Sequence, residues 1–362
     1  MIFAFLRAGS KKANKERKMK RTLMFLLVLL MAAGLCFAAG SKDKGAAESK
    51  EITVYVAHNA DQYNAAIKEF QELTGIEVMA VSMGTGDCLQ RIAAESARPL
   101  CDVMWGGTTE SLEAYKKYFQ PYTSSEDANI PAEFKAKDRL WIGESQQPAV
   151  IMYNKNLVSG SDIPVQWSDL LNPKWKGKIA SANPASSGSA YTLICTMVMA
   201  KSQNKNYEQG WKFIEQLAGN IIISGGSSSV YKGVADGEYP LGLTLEQLAY
   251  VYVKANPNTV GMIYPKDGSS NVPDGVAMIK DCPNPKGAAR FIDFLLGKAC
   301  QKIMSDDFAR RSVRKDIAQP AGIPDLSAIS FLNYDFDWAG TGKEAVVARW
   351  ETIATTVMTA GK

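Results

Sequence analysis

The stretch Asn183-Pro-Ala-Ser-Ser-Gly-Ser-Ala-Tyr-Thr192 places a hydroxyl-rich turn, broken by a glycine, directly before an apolar helical pattern. It follows the loop Asn172-Pro-Lys-Trp-Lys-Gly-Lys178 and a short apolar segment. Ser186 or Ser187 is expected to cap the helix, and Gly188 allows the backbone to approach a ligand closely. The unpaired N–H groups of the first turn carry the positive end of the helix dipole. The turn therefore predicts an anion site that needs no lysine or arginine.

Strand and helix patterns alternate on both sides of this turn. The predicted strands are rich in β-branched or buried apolar residues and lie at 52–57, 76–82, 101–105, 148–153, 179–182, 239–243 and 260–264. Helical spacing lies between many of them, first at 61–74, where the pattern ends at Gly75. This alternation predicts an α/β fold with mainly parallel sheets.

Two groups of turns are candidates for ligand contact. Ligands bind beyond the carboxyl ends of parallel strands, so the turns after Ala57, Ser82 and Trp105 are expected to form one wall of a cleft. A second hydroxyl-rich turn, Ser224-Gly-Gly-Ser-Ser-Ser229, is expected to contribute from the other half of the chain.

The N-terminus has the features of an export signal. A basic segment, Lys18-Met-Lys-Arg21, precedes an apolar run at 23–35 that is too short to span a bilayer comfortably. We therefore predict a leader over residues 1–40, with Met19 as the start, and a flexible linker over residues 41–50.

The cysteines carry two further expectations. Cys36 offers an alternative in which the mature chain begins at an acylated cysteine, although Leu35 stands where a small residue is expected. The five later cysteines are interpreted as buried thiols or, alternatively, as partly paired. The candidate pairs are Cys88 with Cys101 and Cys282 with Cys300, which leave Cys195 unpaired. No CxxC motif occurs and His58 is the single histidine, so a Cys/His zinc site is not expected.

Charge and length limit the classes of protein that fit. Residues 1–40 hold eight of the 41 basic residues and one of the 37 acidic ones, so their removal changes the formal charge from +4 to −3. The basic character belongs to the leader and does not predict nucleic-acid binding. The roughly 320 remaining residues exceed one ordinary hydrophobic core and suggest two lobes.

Seven motifs follow one another along the chain: Cys101-Asp-Val-Met-Trp-Gly-Gly107, Tyr153-Asn154, Trp167-Ser-Asp-Leu-Leu171, Asn172-Pro-Lys-Trp-Lys-Gly-Lys178, Asn183 to Thr192, Gly237-Glu-Tyr-Pro-Leu-Gly242 and Asn284-Pro-Lys-Gly-Ala-Ala-Arg-Phe-Ile-Asp293. In this order they resemble the extracellular solute-binding proteins of ABC importers, in the branch labelled ferric-iron or thiamine type. The resemblance covers the chain from about Ile52 to Ala309. It implies a two-lobed type II periplasmic binding protein, a "Venus flytrap" in which each lobe is a mainly parallel sheet flanked by helices.

The resemblance also implies an organisation and partners. Lobe 1 is expected at 51–147 plus 262–312, and lobe 2 at 148–261 plus 313–362. The protein is expected to be a periplasmic monomer that delivers its solute to an ABC permease and its ATPase. No cofactor, nucleic-acid partner or catalytic residue is expected.

The solute is harder to predict than the family. Ferric-iron members hold the metal with two adjacent tyrosines after the strand that here is 239–243, because phenolate is a hard ligand for a hard cation. This chain has Leu245-Glu246 there, and Gly106-Gly107 replaces the carboxylate expected after the third strand. His58 lies near the usual histidine position. We therefore predict a phosphorylated sugar or a phosphonate as the solute, with no bound metal, and keep ferric iron as the alternative.

The resemblance to sugar-phosphate and phosphonate binders implies a set of site residues. Ser187 to Ala190 are expected to hold the phosphoryl oxygens, helped by Gly84 to Gly86, while Glu246 accepts protons from the rest of the solute. The full predicted set is His58, Gly84, Thr85, Gly86, Trp105, Gly106, Gly107, Ser187, Gly188, Ser189, Ala190, Thr192, Ser228, Thr244 and Glu246.

An exported hydrolase is the second alternative, and its motifs are missing. No Gly-x-Ser-x-Gly elbow occurs, and Gly177-Lys178 is followed by Ile179, where a phosphate-binding loop needs Ser or Thr. Gly84-x-Gly86 lacks the third glycine of a dinucleotide-binding fingerprint. The sequence therefore predicts a binding protein and not an enzyme.

Overall fold

The structure is a computed structural model and describes residues 50–360. The predictions of a leader over residues 1–40, of a start at Met19 and of acylation at Cys36 lie outside the described residues, as does most of the predicted linker at 41–50. Within the described range, no helix is both long enough and apolar enough to cross a membrane.

Twelve strands in the described part of the chain form two separate sheets. The first sheet has the order β12-β5-β11-β3-β1-β2, with β4 also paired to β11, and the second has the order β10-β6-β9-β7-β8. The strands are β1 (Glu51–Val56), β2 (Glu77–Ser82), β3 (Val103–Thr108), β4 (Phe119–Gln120), β5 (Ile142–Gln146), β6 (Ala149–Asn154), β7 (Ile179–Ser181), β8 (Ile221–Ile223), β9 (Leu241–Leu245), β10 (Val260–Ile263), β11 (Asp274–Ile279) and β12 (Arg311–Ser312).

Eleven α-helices in the described range flank these sheets. They are α1 (Ala60–Thr74), α2 (Thr85–Ala94), α3 (Thr109–Ala114), α4 (Gly188–Ala200), α5 (Tyr207–Ala218), α6 (Ser227–Asp236), α7 (Glu246–Ala255), α8 (Pro285–Leu296), α9 (Lys298–Phe308), α10 (Phe336–Thr341) and α11 (Lys343–Ala360). Helix α1 ends as the sequence predicts, at Gly75, whose φ of 66° is left-handed. Helix α4 begins as predicted with Ser187 as its N-cap, whose side chain accepts the N–H of Ala190.

Both sheets are mixed, which corrects the expectation of mainly parallel sheets. Strand β1 pairs in parallel with β2 and β3, and β7 pairs in parallel with β8 and β9. Strand β11 runs antiparallel to β3 and β5, and β6 runs antiparallel to β9 and β10. Strands joined by a helix return to the same end of a sheet, whereas β6 and β11 enter from the other sheet and run against their neighbours.

The chain passes between the two sheets twice, and after β12 it crosses once more to the side of the second sheet, where Ala339, Val346 and Trp350 join that core. It crosses between β5 and β6 and returns between β10 and β11. The sequence assigned Met262 to the first lobe, but β10 pairs with β6, with Met262 opposite Met152. The return crossing therefore follows Ile263. We call the parts of the chain around the first and second sheets the first and second lobe.

Each sheet has its own hydrophobic core. Phe70, Trp105 and Phe291 lie in the first core, and Trp167 and Trp211 lie in the second. The five cysteines of the described chain are all buried and free, so the pairings considered from the sequence are wrong and the interpretation as buried thiols holds. Small apolar thiols fill these cores without crosslinking them.

Candidate functional site

A polar cavity of about 350 Å³ lies between the two lobes. The turns after β1 and β2 and the end of β3, at Gly107, reach it from the first lobe, and the turns at 186–189 and 225–228 reach it from the second. Its volume is in the range of small-molecule sites. The fold thus brings together both groups of turns that the sequence singled out.

Four helices begin at this cavity. The residues directly before α1, α2, α4 and α6 all line it: Asn59, Gly84, Ser187 and Gly226. Each of these helices has at least 10 residues. The N–H groups of a first helical turn lack partners within the helix and carry the positive end of the dipole. The cavity therefore has a wall suited to an anion.

Three serine hydroxyls connect two of these helix starts. Ser187 Oγ lies 2.8 Å from Ser227 Oγ and 3.1 Å from Ser189 Oγ, and Ser189 Oγ lies 2.8 Å from Ser227 Oγ. Each hydroxyl can donate one hydrogen bond and accept others, so the cluster can turn its donors towards a ligand.

The two lobes touch at one edge of the cavity. Gly86 N–H donates to the carbonyl oxygen of Ser186 across the lobes, at 2.9 Å. A Cβ at Gly86 would lie 2.0 Å from the carbonyl oxygen of Ala185, and one at Gly188 would lie 2.8 Å from Thr85 Oγ1. Only glycine fits at these two positions while the lobes are in contact, so this edge of the cleft is closed in the structure.

The floor of the cavity holds a compact charged cluster. His58 Nε2 lies 2.8 Å from Glu144 Oε1, and Arg310 Nη2 lies 3.1 Å from the same oxygen. Arg310 Nη2 also lies 2.7 Å from Asp274 Oδ2. Burial alone raises the pKa of Glu144, but the charges of His58 and Arg310 outweigh it and hold that pKa at about 2. The carboxylate therefore stays ionised.

Two buried amides complete the floor. Gln147 Nε2 donates to Ser145 Oγ at 3.2 Å, and Gln247 Nε2 donates to the carbonyl oxygen of Phe308 at 3.0 Å. These bonds fix the orientation of both amides. Among the described residues, neither amide oxygen has a hydrogen-bond partner. Both residues line the cavity, and their unpaired oxygens are buried next to it.

The structure separates the fifteen predicted site residues into two groups. The cavity is lined by His58, Gly84, Thr85, Gly107, Ser187, Gly188, Ser189 and Ser228. The residues that lie outside its lining are Gly86, Trp105, Gly106, Ala190, Thr192, Thr244 and Glu246.

Trp105 and Gly106 support His58 from behind. Trp105 is 1% exposed and donates its Nε1–H to Glu144 Oε2 at 3.2 Å. Its ring meets the His58 ring edge-on, with centroids 5.0 Å apart. A Cβ at Gly106 would lie 2.8 Å from the His58 ring, so glycine leaves room for the imidazole. Gly86, as described above, contacts the second lobe and not the cavity.

Ala190 and Thr192 face away from the cavity along α4. Ala190 N–H donates to Ser187 Oγ, the capping bond, at 3.2 Å. The Thr192 hydroxyl donates to Glu110 Oε1 of α3, which joins the two lobes behind the cavity. Glu110 is fully buried, and Lys343 Nζ donates to the neighbouring Ser111 Oγ at 3.1 Å. This buried polar group is part of the lobe contact.

Thr244 and Glu246 are sealed inside the protein. Strand β9 runs to Leu245, two residues further than the sequence predicts, so Thr244 is a buried strand residue. Glu246 begins α7 and forms a two-pronged ion pair with Arg311, with Nε to Oε2 at 2.6 Å and Nη2 to Oε1 at 2.9 Å. Adjacent helical side chains point in different directions, and it is Gln247 that faces the cavity.

Arg310 is the functional candidate that the sequence interpretation missed. Ala309 ends α9 with φ at 54°, a left-handed conformation, and the chain then turns into β12. Two arginines directly after a predicted helix were the available signal. Their different partners, Asp274 and Glu246, come from distant parts of the chain, so spacing alone could not separate their roles.

Comparison with known proteins identifies solute-binding proteins of bacteria as similar to this chain. A family model described as "Bacterial extracellular solute-binding protein" matches residues 111–336. Iron uptake protein A1 of Synechocystis is 26% identical over 319 residues, which cover 82% of this chain and 83% of that protein. A Salmonella typhimurium periplasmic protein, provisionally named for binding 2-aminoethylphosphonate, is 23% identical over 83% of this chain and 92% of its own length.

A solved structure shows the same fold. The periplasmic binding protein AfuA of Actinobacillus pleuropneumoniae, with fructose-6-phosphate bound, matches with a TM-score of 0.78. The match has 23% sequence identity and covers 84% of this chain and 98% of that one. The two-lobed type II architecture expected from the motifs is therefore confirmed.

Proposed function

Because the chain belongs to the family of bacterial extracellular solute-binding proteins, we propose that it captures a small phosphorylated or phosphonate solute for an ABC importer. The solute is held in the cleft between the lobes and is delivered to a membrane permease. The role is binding without catalysis. Export to the periplasm is part of the same proposal, and it is supported by the basic and apolar N-terminal pattern and by relatives named as periplasmic.

The convergence of four helix N-termini and three serine hydroxyls on one cavity carries the proposal. A phosphoryl group has three oxygens that accept hydrogen bonds from several directions. The starts of α2, α4 and α6 supply such donors from both lobes. One helix dipole contributes at most about 2 kcal/mol, whereas micromolar affinity needs about 8 kcal/mol, so several starts must act together.

A second group of residues that line the cavity suits the remainder of the solute. Gln147 and Gln247 present buried amide oxygens without partners among the described residues, and Asp274 adds a carboxylate. These groups accept hydrogen bonds from hydroxyl or amine hydrogens. Sugar phosphates and aminoalkyl phosphonates both combine such hydrogens with a phosphoryl group, so the two groups of lining residues suit the two parts of such a solute.

Ferric iron is the alternative, because several relatives are named for iron. Histidine and carboxylate ligands are present at the floor of the cleft, as His58, Glu144 and Asp274. The chain has no adjacent tyrosines after β9, where Leu245-Glu246 stands. The anion proposal and the iron alternative predict different results when solute binding is measured.

The test is a binding panel on the purified protein. Thermal unfolding is followed with fructose 6-phosphate, 2-aminoethylphosphonate, phosphate, thiamine and ferric citrate, with fructose and ethylamine as controls that lack the phosphoryl group. We expect at least one phosphorylated or phosphonate solute to raise the melting temperature, since 100-fold excess over Kd adds about 2.7 kcal/mol. A shift with ferric citrate alone would overturn the proposal. Phosphate-ester hydrolysis abolished in His58→Ala would contradict the non-catalytic role.

A further inference from the structure

We infer that Arg310 is a built-in cation at the position a metal ion would take between His58, Glu144 and Asp274, and that it prevents this cleft from binding metal ions. The inference rests on the proposed function for its biological meaning, because it explains why a cleft with metal-ligand side chains serves an anionic solute. It makes Arg310 the residue that determines the ligand class.

The three side chains are a plausible metal-ligand set by themselves. One ligand atom from each of His58, Glu144 and Asp274 lies within 4.8 Å of the others. Metal–ligand bonds to nitrogen and oxygen are about 2.0–2.2 Å, so two ligands on opposite sides of an ion lie about 4.4 Å apart at most. Small side-chain shifts would bring the three atoms around one ion. Imidazole with carboxylates suits zinc, cobalt and ferrous ions.

Arg310 stands among these three residues. Its Nη2 bonds Glu144 Oε1 at 3.1 Å and Asp274 Oδ2 at 2.7 Å, and it also bonds the hydroxyl of Ser145. Its Nη1 lies 3.4 Å from His58 Nδ1. The guanidinium therefore takes the acceptor oxygens that an incoming metal ion would need.

The chemistry of arginine suits this position. The guanidinium is a planar fork of N–H donors that can bond two carboxylates at once. The Arg310 side chain is 4% exposed, and removing it from its two carboxylates would leave uncompensated buried charges. A metal ion entering the cluster would also be repelled by the positive charge.

The backbone holds Arg310 in place. Its N–H donates to the carbonyl oxygen of Met304 at 3.0 Å, at the end of α9. The next residue, Arg311, pairs with Gln146 in the first sheet. With the chain fixed on both sides, the guanidinium is a constant part of the cleft floor.

The test is whether metal binding appears when Arg310 is removed. Purified wild-type protein, Glu144→Gln, Arg310→Ala and Arg310→Ala/Glu144→Gln are titrated with Zn²⁺ against a chromophoric chelator and with Co²⁺ by visible absorption. We expect the wild type to bind neither ion in the cleft. Arg310→Ala should bind one ion at least 100-fold more tightly than the wild type, and Glu144→Gln in that background should weaken the binding at least tenfold.

Arg314→Ala is the matched control. Arg314 is also buried and pairs with Glu126 Oε2 at 2.5 Å and Asp316 Oδ1 at 2.8 Å, but no histidine is part of that group. Its removal should create no metal site. The inference is overturned if Arg310→Ala binds no ion, if Glu144→Gln leaves its metal affinity unchanged, or if the wild type already binds an ion that Glu144→Gln releases.

A folding defect does not prevent the test. If Arg310→Ala is unfolded without metal, it is refolded with and without Zn²⁺, and Arg310→Gln, which keeps most of the side-chain volume, is titrated in parallel. The inference is overturned if Zn²⁺ stabilises neither Arg310→Ala nor Arg310→Gln. The thermal-unfolding panel on the wild type is an independent experiment. If no anion stabilises the wild type but Arg310→Ala binds a metal ion, the proposed function is refuted and the metal-site inference stands.

Discussion

Arg310 and Arg311 are neighbours in the chain, yet Arg310 makes its contacts within the first lobe whereas Arg311 makes a contact between the lobes. Arg310 lines the cleft cavity, and its guanidinium also bonds the carboxylates of Glu144 and Asp274. Arg311 is 0% exposed and joins the first sheet to Glu246 at the start of α7 in the second lobe. We call this second contact, made by Arg311, Glu246 and Tyr264, the sealed joint.

This difference shows that the residues expected to bind the solute and the residues expected to stabilise the fold lie in different places. The sealed joint satisfies its charges internally, since Tyr264 also donates to Glu246 Oε1 at 2.5 Å. The cleft leaves acceptors such as the Gln147 and Gln247 amide oxygens without protein partners among the described residues. Substitutions in the sealed joint should change stability, and those in the cleft should change binding. Four predictions test this division and the lobe contact at Glu110.

The largest effect is expected from Arg311→Ala in the sealed joint. Removal of one partner leaves the Glu246 carboxylate buried and unpaired, which costs about 3–5 kcal/mol. Urea unfolding should show this loss. The double variant Arg311→Met/Glu246→Leu removes both charges and should recover most of the stability. If the double variant is no more stable than Arg311→Ala, the ion pair is not the cause.

A smaller effect is expected where the lobes meet at the edge of the cleft. In Gly86→Ala the new Cβ would lie 2.0 Å from the carbonyl oxygen of Ala185, so the closed arrangement is strained by about 1–3 kcal/mol. Solute affinity, measured by calorimetry, should fall about tenfold. Gly219→Ala is the control, because its Cβ meets only Val357 Cγ1 at 3.8 Å. Equal affinities in the two variants would contradict closure at Gly86.

The buried Glu110 provides a pH-dependent test of the lobe contact. Burial raises its pKa from 4.5 to about 7, so the folded state holds a proton that the unfolded state has lost. Stability should therefore fall as pH rises from about 4.5 to 7, by less than about 1.4 kcal/mol per pH unit. Urea unfolding of Glu110→Gln should lack this fall, while exposed Glu133→Gln should keep it. A pH profile unchanged in Glu110→Gln would refute the assignment.

The smallest effect is expected in the serine cluster of the cleft. Ser227→Ala removes one hydroxyl that faces the cavity, and a single hydrogen bond contributes about 0.5–1.5 kcal/mol. Solute affinity should fall about threefold to tenfold while urea unfolding is nearly unchanged. Ser229→Ala, an exposed position of α6 outside the cavity lining, should leave both unchanged. An equal loss of affinity in both variants would show that the cluster does not contact the solute.

Much of the fold follows from local sequence signals. The bounds of α1 follow from apolar periodicity together with Gly75, and the Ser187 cap follows from its hydroxyl before an apolar pattern. Strands β5 and β11 were not predicted. These strands are short, as Asp274–Ile279 shows, and they form by pairing with strands that are distant in the chain. Local periodicity does not predict such pairing.

The site was predicted where it depends on helix starts and failed where it depends on side-chain direction. Ser187 and Thr85 line the cavity because the turn before a helix fixes their position. Glu246 was expected in the cleft, but the strand ends two residues later than predicted, and its neighbour Gln247 takes that place. A shift of one position along a helix turns the direction of the side chain by about 100°, which is enough to move it from the cleft to the protein interior.

The sequence by itself determined the α/β class, the family motifs and the hydroxyl-rich helix start at Ser187, because each depends on residues that are close together in the chain. Only the tertiary structure decided that Arg310 faces the cleft while Arg311 and Glu246 seal the lobes together. The reason is physical: a buried charge is stable only where distant segments supply its partners, and Glu144, Asp274 and Glu246 come from three different strands or helices.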